Sequence, residues 1–89
     1  QKFGGSSVAD AERMRRCAQR AIDCKNAGNR VVVVVSAMGD ATDDLIALAS
    51  KVTDAPSARE MDQLLATGEQ VSISLMAMTL TAMGSPAVA

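Results

Sequence analysis

Hydrophobic positions along the chain fall into two periods, and the switch between them outlines the elements. From Ser7 to Ala27 the residues Val8, Ala11, Met14, Cys17, Ala18, Ala21 and Ile22 recur by threes and fours. That spacing predicts an amphipathic helix whose other face carries Arg13, Arg15, Arg16, Gln19, Arg20 and Asp23. Gly28-Asn29 stops it. Val31 to Val35 is an unbroken β-branched run without alternation, which predicts a strand covered on both faces, as in a parallel sheet. A second helix is expected over 43–52 with Thr42 as its N-cap, and Thr53-Asp54-Ala55-Pro56 ends it. Ser57-x-x-Glu60 and Thr67-x-x-Gln70 have the form of two capping boxes. They predict a short helix through Leu65 and then a longer one, apolar nearly all round, stopped by Gly84.

Residues 1–3 read as the end of a first strand, and 85–89 as the start of another. The outline is β-α-β-α-α-α-β. A strand, a crossover helix and a second strand imply a parallel pair with a right-handed connection. The fold class expected is therefore α/β, a three-layer α/β/α arrangement with a mainly parallel sheet, present as its N-terminal part. A chain that opens on Gln1 and closes on what reads as a new strand suggests a fragment.

Composition narrows the function. Of 89 residues, 48% are apolar and 21% charged, with a net charge of −1, so no basic face for nucleic acid is expected. Phe3 is the sole aromatic residue, which leaves no platform for stacking bases. There is no histidine, so the commonest general base and metal ligand is missing. No apolar run is long enough to cross a membrane and no signal pattern opens the chain, which makes the cytoplasm the default expectation. Cys17 and Cys24 lie two turns apart on one helix, about 10 Å at 1.5 Å per residue, too far for a disulfide; buried free thiols are expected. The methionines read as adaptable core packing.

Three polar clusters stand where strands end or helices begin. Lys2-Phe3-Gly4-Gly5-Ser6-Ser7 joins a cation, two glycines and two hydroxyls, which suits an anion held by backbone amides. The plain alternative is a capped helix start, and the glycine spacing fits neither the P-loop nor the dinucleotide fingerprint. Ser36 to Thr42 follows the valine strand, where ligands of open α/β folds bind, and its hydroxyls suit a small carboxylate. Glu69 offers the opposite charge, with an amine as its natural partner. For Glu69 and Asp40 the plain readings are a dipole-favoured residue and a loop carboxylate. Phosphoryl transfer rests on positioning and charge neutralisation, so the lack of histidine is no obstacle to it.

These segments resemble a known family. Lys2 to Val8 is similar to the K-[FY]-G-G-[TS]-S opening of aspartokinases. Val32 to Asp44 resembles their valine strand running into S-A-M-G-x-x-T-[DN], and Arg59 to Ser72 resembles a third block, R-E-x-D-x-L-L-[SA]-[TA]-G-E. The three blocks occur in order and cover almost the whole chain. The resemblance implies ATP-dependent phosphorylation of the side-chain carboxylate of L-aspartate to 4-phospho-L-aspartate, the first step towards lysine, threonine and methionine. It implies that Lys2 is catalytic and binds phosphate with Gly4, Gly5 and Ser6, and that Ser36, Thr42 and Glu69 hold aspartate. Ser6 stands where many members carry threonine, and Ala41 where some do.

The resemblance further implies Mg2+ held with ATP by residues outside this chain, and an oligomer of the whole enzyme. Residues 1–89 match the first part of the catalytic domain, without the later nucleotide loops or the regulatory ACT domains. The piece alone is then expected to be inactive. Two alternatives stand beside this reading: a non-catalytic packing or oligomerising module, and a related kinase acting on another small carboxylate.

Overall fold

The computed structural model describes residues 2–88. Two short strands, β1 (Lys2–Phe3) and β2 (Val34–Val35), pair in parallel, Lys2 opposite Val34 and Phe3 opposite Val35. The crossover helix between them is α1 (Ala11–Asn26). Helices α2 (Ala41–Val52) and α3 (Ala58–Ala82) complete the order β-α-β-α-α. The parallel pair joined through a helix is as the sequence predicts. Gln1 and Ala89, which belong to the expected terminal strands, lie outside the described residues.

One core holds these parts together. Phe3, Val8, Met14, Cys17, Ala18, Ala21, Val35, Met76 and Leu80 form a single buried cluster. It is assembled from the stripe of α1, the inward residues of the strands and one stripe of α3. Helix α1 packs on α3, and α3 on β2, so both cover the same face of the sheet. Met76 lies at the centre, 3% exposed. Met76→Ala is expected to lower unfolding stability by about 2–5 kcal/mol, read from urea denaturation midpoints at unchanged slope.

Among the described residues the helices cover one face of the strand pair. Val31 and Val33 pack against the core, whereas Val32 is 76% and Val34 53% exposed. The valine run is thus buried on one face, because α2 packs on α3 instead of crossing the strand. No residue of α2 is buried. The radius of gyration is 15.0 Å, against about 12 Å for a compact domain of this length. An elongated chain cannot cover all its apolar residues, and Leu48, Val52 and Met78 remain exposed.

Local signals account for several shifted boundaries. Helix α1 starts at Ala11, not Ser7, because Asp10 is the N-cap and its Oδ1 accepts from the Arg13 amide at 2.8 Å. Residues 5–10 form turns and a bend. Helix α2 starts two residues earlier than expected, so Thr42 lies inside its first turn and Asp40 takes the cap position. Of the first capping box the N-cap half forms, with Ser57 Oγ accepting from the Glu60 amide at 3.3 Å.

The second box does not form. Two expected helices are one continuous α3 of 25 residues, and its amides at 67–70 are already committed to the helix ladder. Thr67 Oγ1 instead donates back to the Leu64 carbonyl at 2.6 Å. Nor is α3 buried on several sides: Gly68, Ser72, Met76 and Leu80 make one buried stripe, while Val71, Ile73 and Met78 are exposed. After Gly84 no strand forms within residues 85–88. Ser85 donates to the Leu80 carbonyl at 2.9 Å and Ala87 to Thr81 Oγ1 at 3.3 Å, which ties this segment to the end of α3.

Candidate active site

The parallel pairing carries the turn after β1 and the loop after β2 to the same end of the sheet. Beyond the ladder the two segments stay joined. The Ser36 amide donates to the Phe3 carbonyl and the Gly39 amide to the Gly5 carbonyl, both at 3.0 Å. Ser7 closes the first turn by donating to the Gly4 carbonyl at 3.0 Å. The amides of Gly5 and Ser6 make no backbone hydrogen bond among the described residues. A Cβ on Gly4 would meet nothing within 4 Å. An anion can therefore approach this backbone closely. Because α1 begins only at Ala11, the dipole of a helix start does not act at Gly4 and Gly5.

Helix α3 reaches the same place from the other side. Gly68 lies in mid-helix, where glycine costs about 1 kcal/mol relative to alanine. Its packing explains its presence: a Cβ there would lie 3.1 Å from Ala37 Cβ, 3.7 Å from Leu45 Cδ1 and 4.0 Å from Ala41 Cβ. Ala37 is in turn pressed on by Gly5, whose Cβ would lie 3.0 Å from the Ala37 carbonyl oxygen and 3.3 Å from that of Gly39. All three polar clusters thus converge at Ala37, a 4%-exposed residue. Ser36 precedes it, Thr42 follows Ala41, and Glu69 follows Gly68.

Side chains at the site face solvent. Lys2, Ser6, Thr42 and Glu69 are exposed and Ser36 is half-buried. No ion pair engages Lys2 or Glu69 among the described residues. Lys2 is paired with Val34, and both stand on the sheet face opposite the core. The structure thus brings together the backbones of the Gly4-Gly5-Ser6 turn, the Ser36 loop and the Gly68-Glu69 turn of helix. It leaves Lys2 on the open side of the sheet.

Two positioning groups escaped the sequence reading. Arg13, counted with the solvated face of its helix, donates from Nη1 to the Ser6 carbonyl at 3.0 Å. Cys17, read as a core thiol, lies 3.3 Å from the Ser7 carbonyl through Sγ. Both anchor the first turn to α1. Helical periodicity could not reveal them, because the partner is an irregular turn. Burial pushes the Cys17 thiol above its ordinary pKa, partly offset by the Arg20 charge. A raised folded pKa means that the folded chain keeps a proton which the unfolded chain loses. The resulting stability is full below the ordinary thiol pKa and is lost as pH rises through the folded value. At pH 8, iodoacetamide is expected to alkylate Cys24, which is half-buried, before Cys17, as peptide mapping would show.

No group of three or more His, Cys, Asp or Glu side chains among the described residues could hold a metal ion. The acids present do not fit a resident metal centre. No helix among the described residues is long and apolar enough to cross a membrane.

The chain is similar to known proteins along nearly its whole length. The model of the amino acid kinase family matches residues 1–89. An aspartokinase of Mycolicibacterium smegmatis is 61% identical over 87 residues, covering 98% of this chain and 21% of the relative. Aspartokinase 2 of Bacillus subtilis is 58% identical over 88 residues, covering 99% and 22%. The crystal structure of aspartate kinase from Synechocystis superposes with a TM-score of 0.96 at 51% identity, over 99% of this chain and 15% of that one. The chain thus spans about a fifth of the length of these curated relatives. The α/β class and the resemblance read from the three blocks both hold, and with its whole length matched, this chain belongs to the amino acid kinase family.

Proposed function

We propose that residues 1–89 are the N-terminal part of an aspartokinase catalytic domain, providing the phosphate turn and the aspartate pocket. The observation that carries this reading is the convergence of all three signature segments on Ala37. Identity of 61% to an aspartokinase along nearly the whole chain supports it.

The chemistry suits the residues. The nucleophile is a side-chain carboxylate, already ionised near neutral pH, so no base has to take a proton from it. One carboxylate oxygen bonds to the γ-phosphorus of ATP while the bond to the β–γ bridging oxygen breaks. The products are an acyl phosphate and ADP. What the protein supplies is charge neutralisation and alignment. Lys2 offsets charge on the transferring phosphoryl group, and the free amides of Gly5 and Ser6, beside open Gly4, receive phosphate oxygens. Ser36 and Thr42 hold aspartate by hydrogen bonds, and Glu69 pairs with its ammonium group. Mg2+ would arrive with the nucleotide, since the acids here do not form a site for it.

The test is ADP release coupled to NADH oxidation, with aspartate as acceptor, on the full-length protein that carries this segment. Trapping the acyl phosphate as a hydroxamate identifies the product. Aspartate-independent ADP release, or no hydroxamate, would overturn the reading. One observation favours a second role for the 89 residues taken alone: no residue of α2 is fully buried and Leu48 and Val52 are exposed, as in a piece that packs on something else. ADP release by the isolated chain would exclude that non-catalytic role.

A further inference from the structure

We infer that Ala37 is a spacer whose single methyl group sets the length of the acceptor the site takes. This rests on the aspartokinase reading and adds a specificity device to it. Ala37 is gripped from two directions by residues that lack a side chain. On one side Gly5 approaches so closely that its own Cβ would stand 3.0 Å from the Ala37 carbonyl oxygen. On the other, a Cβ at Gly68 would stand 3.1 Å from the Ala37 methyl, inside the roughly 3.5–4.0 Å of a good carbon contact. No slack remains between the turn that receives phosphate and the helix that carries Glu69.

The grip has a direction that matters for chemistry. An acceptor with an ammonium at one end and a reacting carboxylate at the other must span from Glu69 to the phosphate turn. Ala37 is the packed residue between those two points, next to Ser36. Helix α3 is one unbroken rod through Gly68, and the Gly39 amide ties the loop to the turn by donating to the Gly5 carbonyl at 3.0 Å. Enlarging the contact therefore moves Glu69 away from the turn instead of being absorbed by a flexible side chain. Within a dicarboxylic amino acid series, the allowed span distinguishes aspartate from glutamate, which is one methylene longer.

Three variants of the full-length protein test this, with aspartate and glutamate as acceptors. Gly68→Ala is expected to raise the KM for aspartate about tenfold, with a smaller change in kcat, since misplacement by 1 Å can cost about 100-fold. The ratio of kcat/KM for glutamate to that for aspartate should rise. Adding Ala37→Gly to Gly68→Ala removes the methyl that the new side chain meets, and should return both KM and ratio towards wild type. Ala37→Gly alone introduces no clash, so it carries the test if Gly68→Ala does not fold; it should shift the ratio towards aspartate. An unchanged ratio in both single variants overturns the inference. So does an equal loss on both acceptors that the double variant fails to recover. Wild-type protein that does not phosphorylate aspartate at all would instead overturn the functional reading, and the spacer with it.

Discussion

In the full-length protein, and on the aspartokinase reading proposed above, Lys2→Ala is expected to lower kcat about 100- to 1,000-fold while the KM for aspartate stays near its wild-type value. That is the usual effect of removing one preorganised group from developing charge. Lys2 is exposed, stands on a two-residue strand and makes no ion pair with another described residue. Its charge is therefore available to a ligand, and its loss should leave the melting temperature almost unchanged. A variant that folds normally yet turns over slowly would separate catalysis from stability. Lys2→Arg keeps the charge on a differently shaped head and should recover part of the rate. Steady-state kinetics with saturating ATP decide the matter, and near-normal turnover in Lys2→Ala would remove Lys2 from the mechanism.

Glu69→Ala should act on the other kinetic constant. If Glu69 pairs with the ammonium of aspartate as proposed, its removal takes away that counter-charge in ground and transition state alike, so KM rises and kcat holds. Truncating one partner of a charged pair is strongly unfavourable when the pair is desolvated and weak when it is exposed. Glu69 is exposed before substrate binds, which places the expected rise between those limits, at about 10- to 100-fold. Glu69→Gln keeps the shape and an acceptor oxygen and should fall between the two. A fall in kcat at constant KM would instead give Glu69 a role confined to the transition state.

Much of this fold was readable because burial follows short-range pattern. The stripe of α1 predicted Met14, Cys17, Ala18 and Ala21 as core, and all four are buried. The break at Pro56 and the cap at Ser57 were equally local. Errors arose where a local signal competed with something distant. Thr67-x-x-Gln70 has the composition of a helix start, but Gly68 serves packing against Ala37 and the helix runs through it. Five valines in a row indicate two buried faces, yet only one face finds a covering helix among the described residues.

The same distinction governs the site. Glycines at 4, 5 and 68 were visible as residues, and the first two as parts of an anion turn. Which neighbour each glycine makes room for depends on how segments far apart in sequence are laid together. The roles of Arg13 and Cys17 in fixing the turn were hidden for the same reason: each reaches across to a carbonyl of Ser6 or Ser7.

The pairing of Lys2 with Val34 has a consequence for the order of folding. A parallel pair of two-residue strands has no hairpin to nucleate it, and closing the intervening chain costs entropy before any ladder bond forms. Docking α1 on α3 closes a still longer stretch of chain, so neither contact is local. The turn at Gly4 and Gly5 is bound to the loop after β2 through the Gly39 amide, so it is expected to take its native shape only once that long-range closure is made.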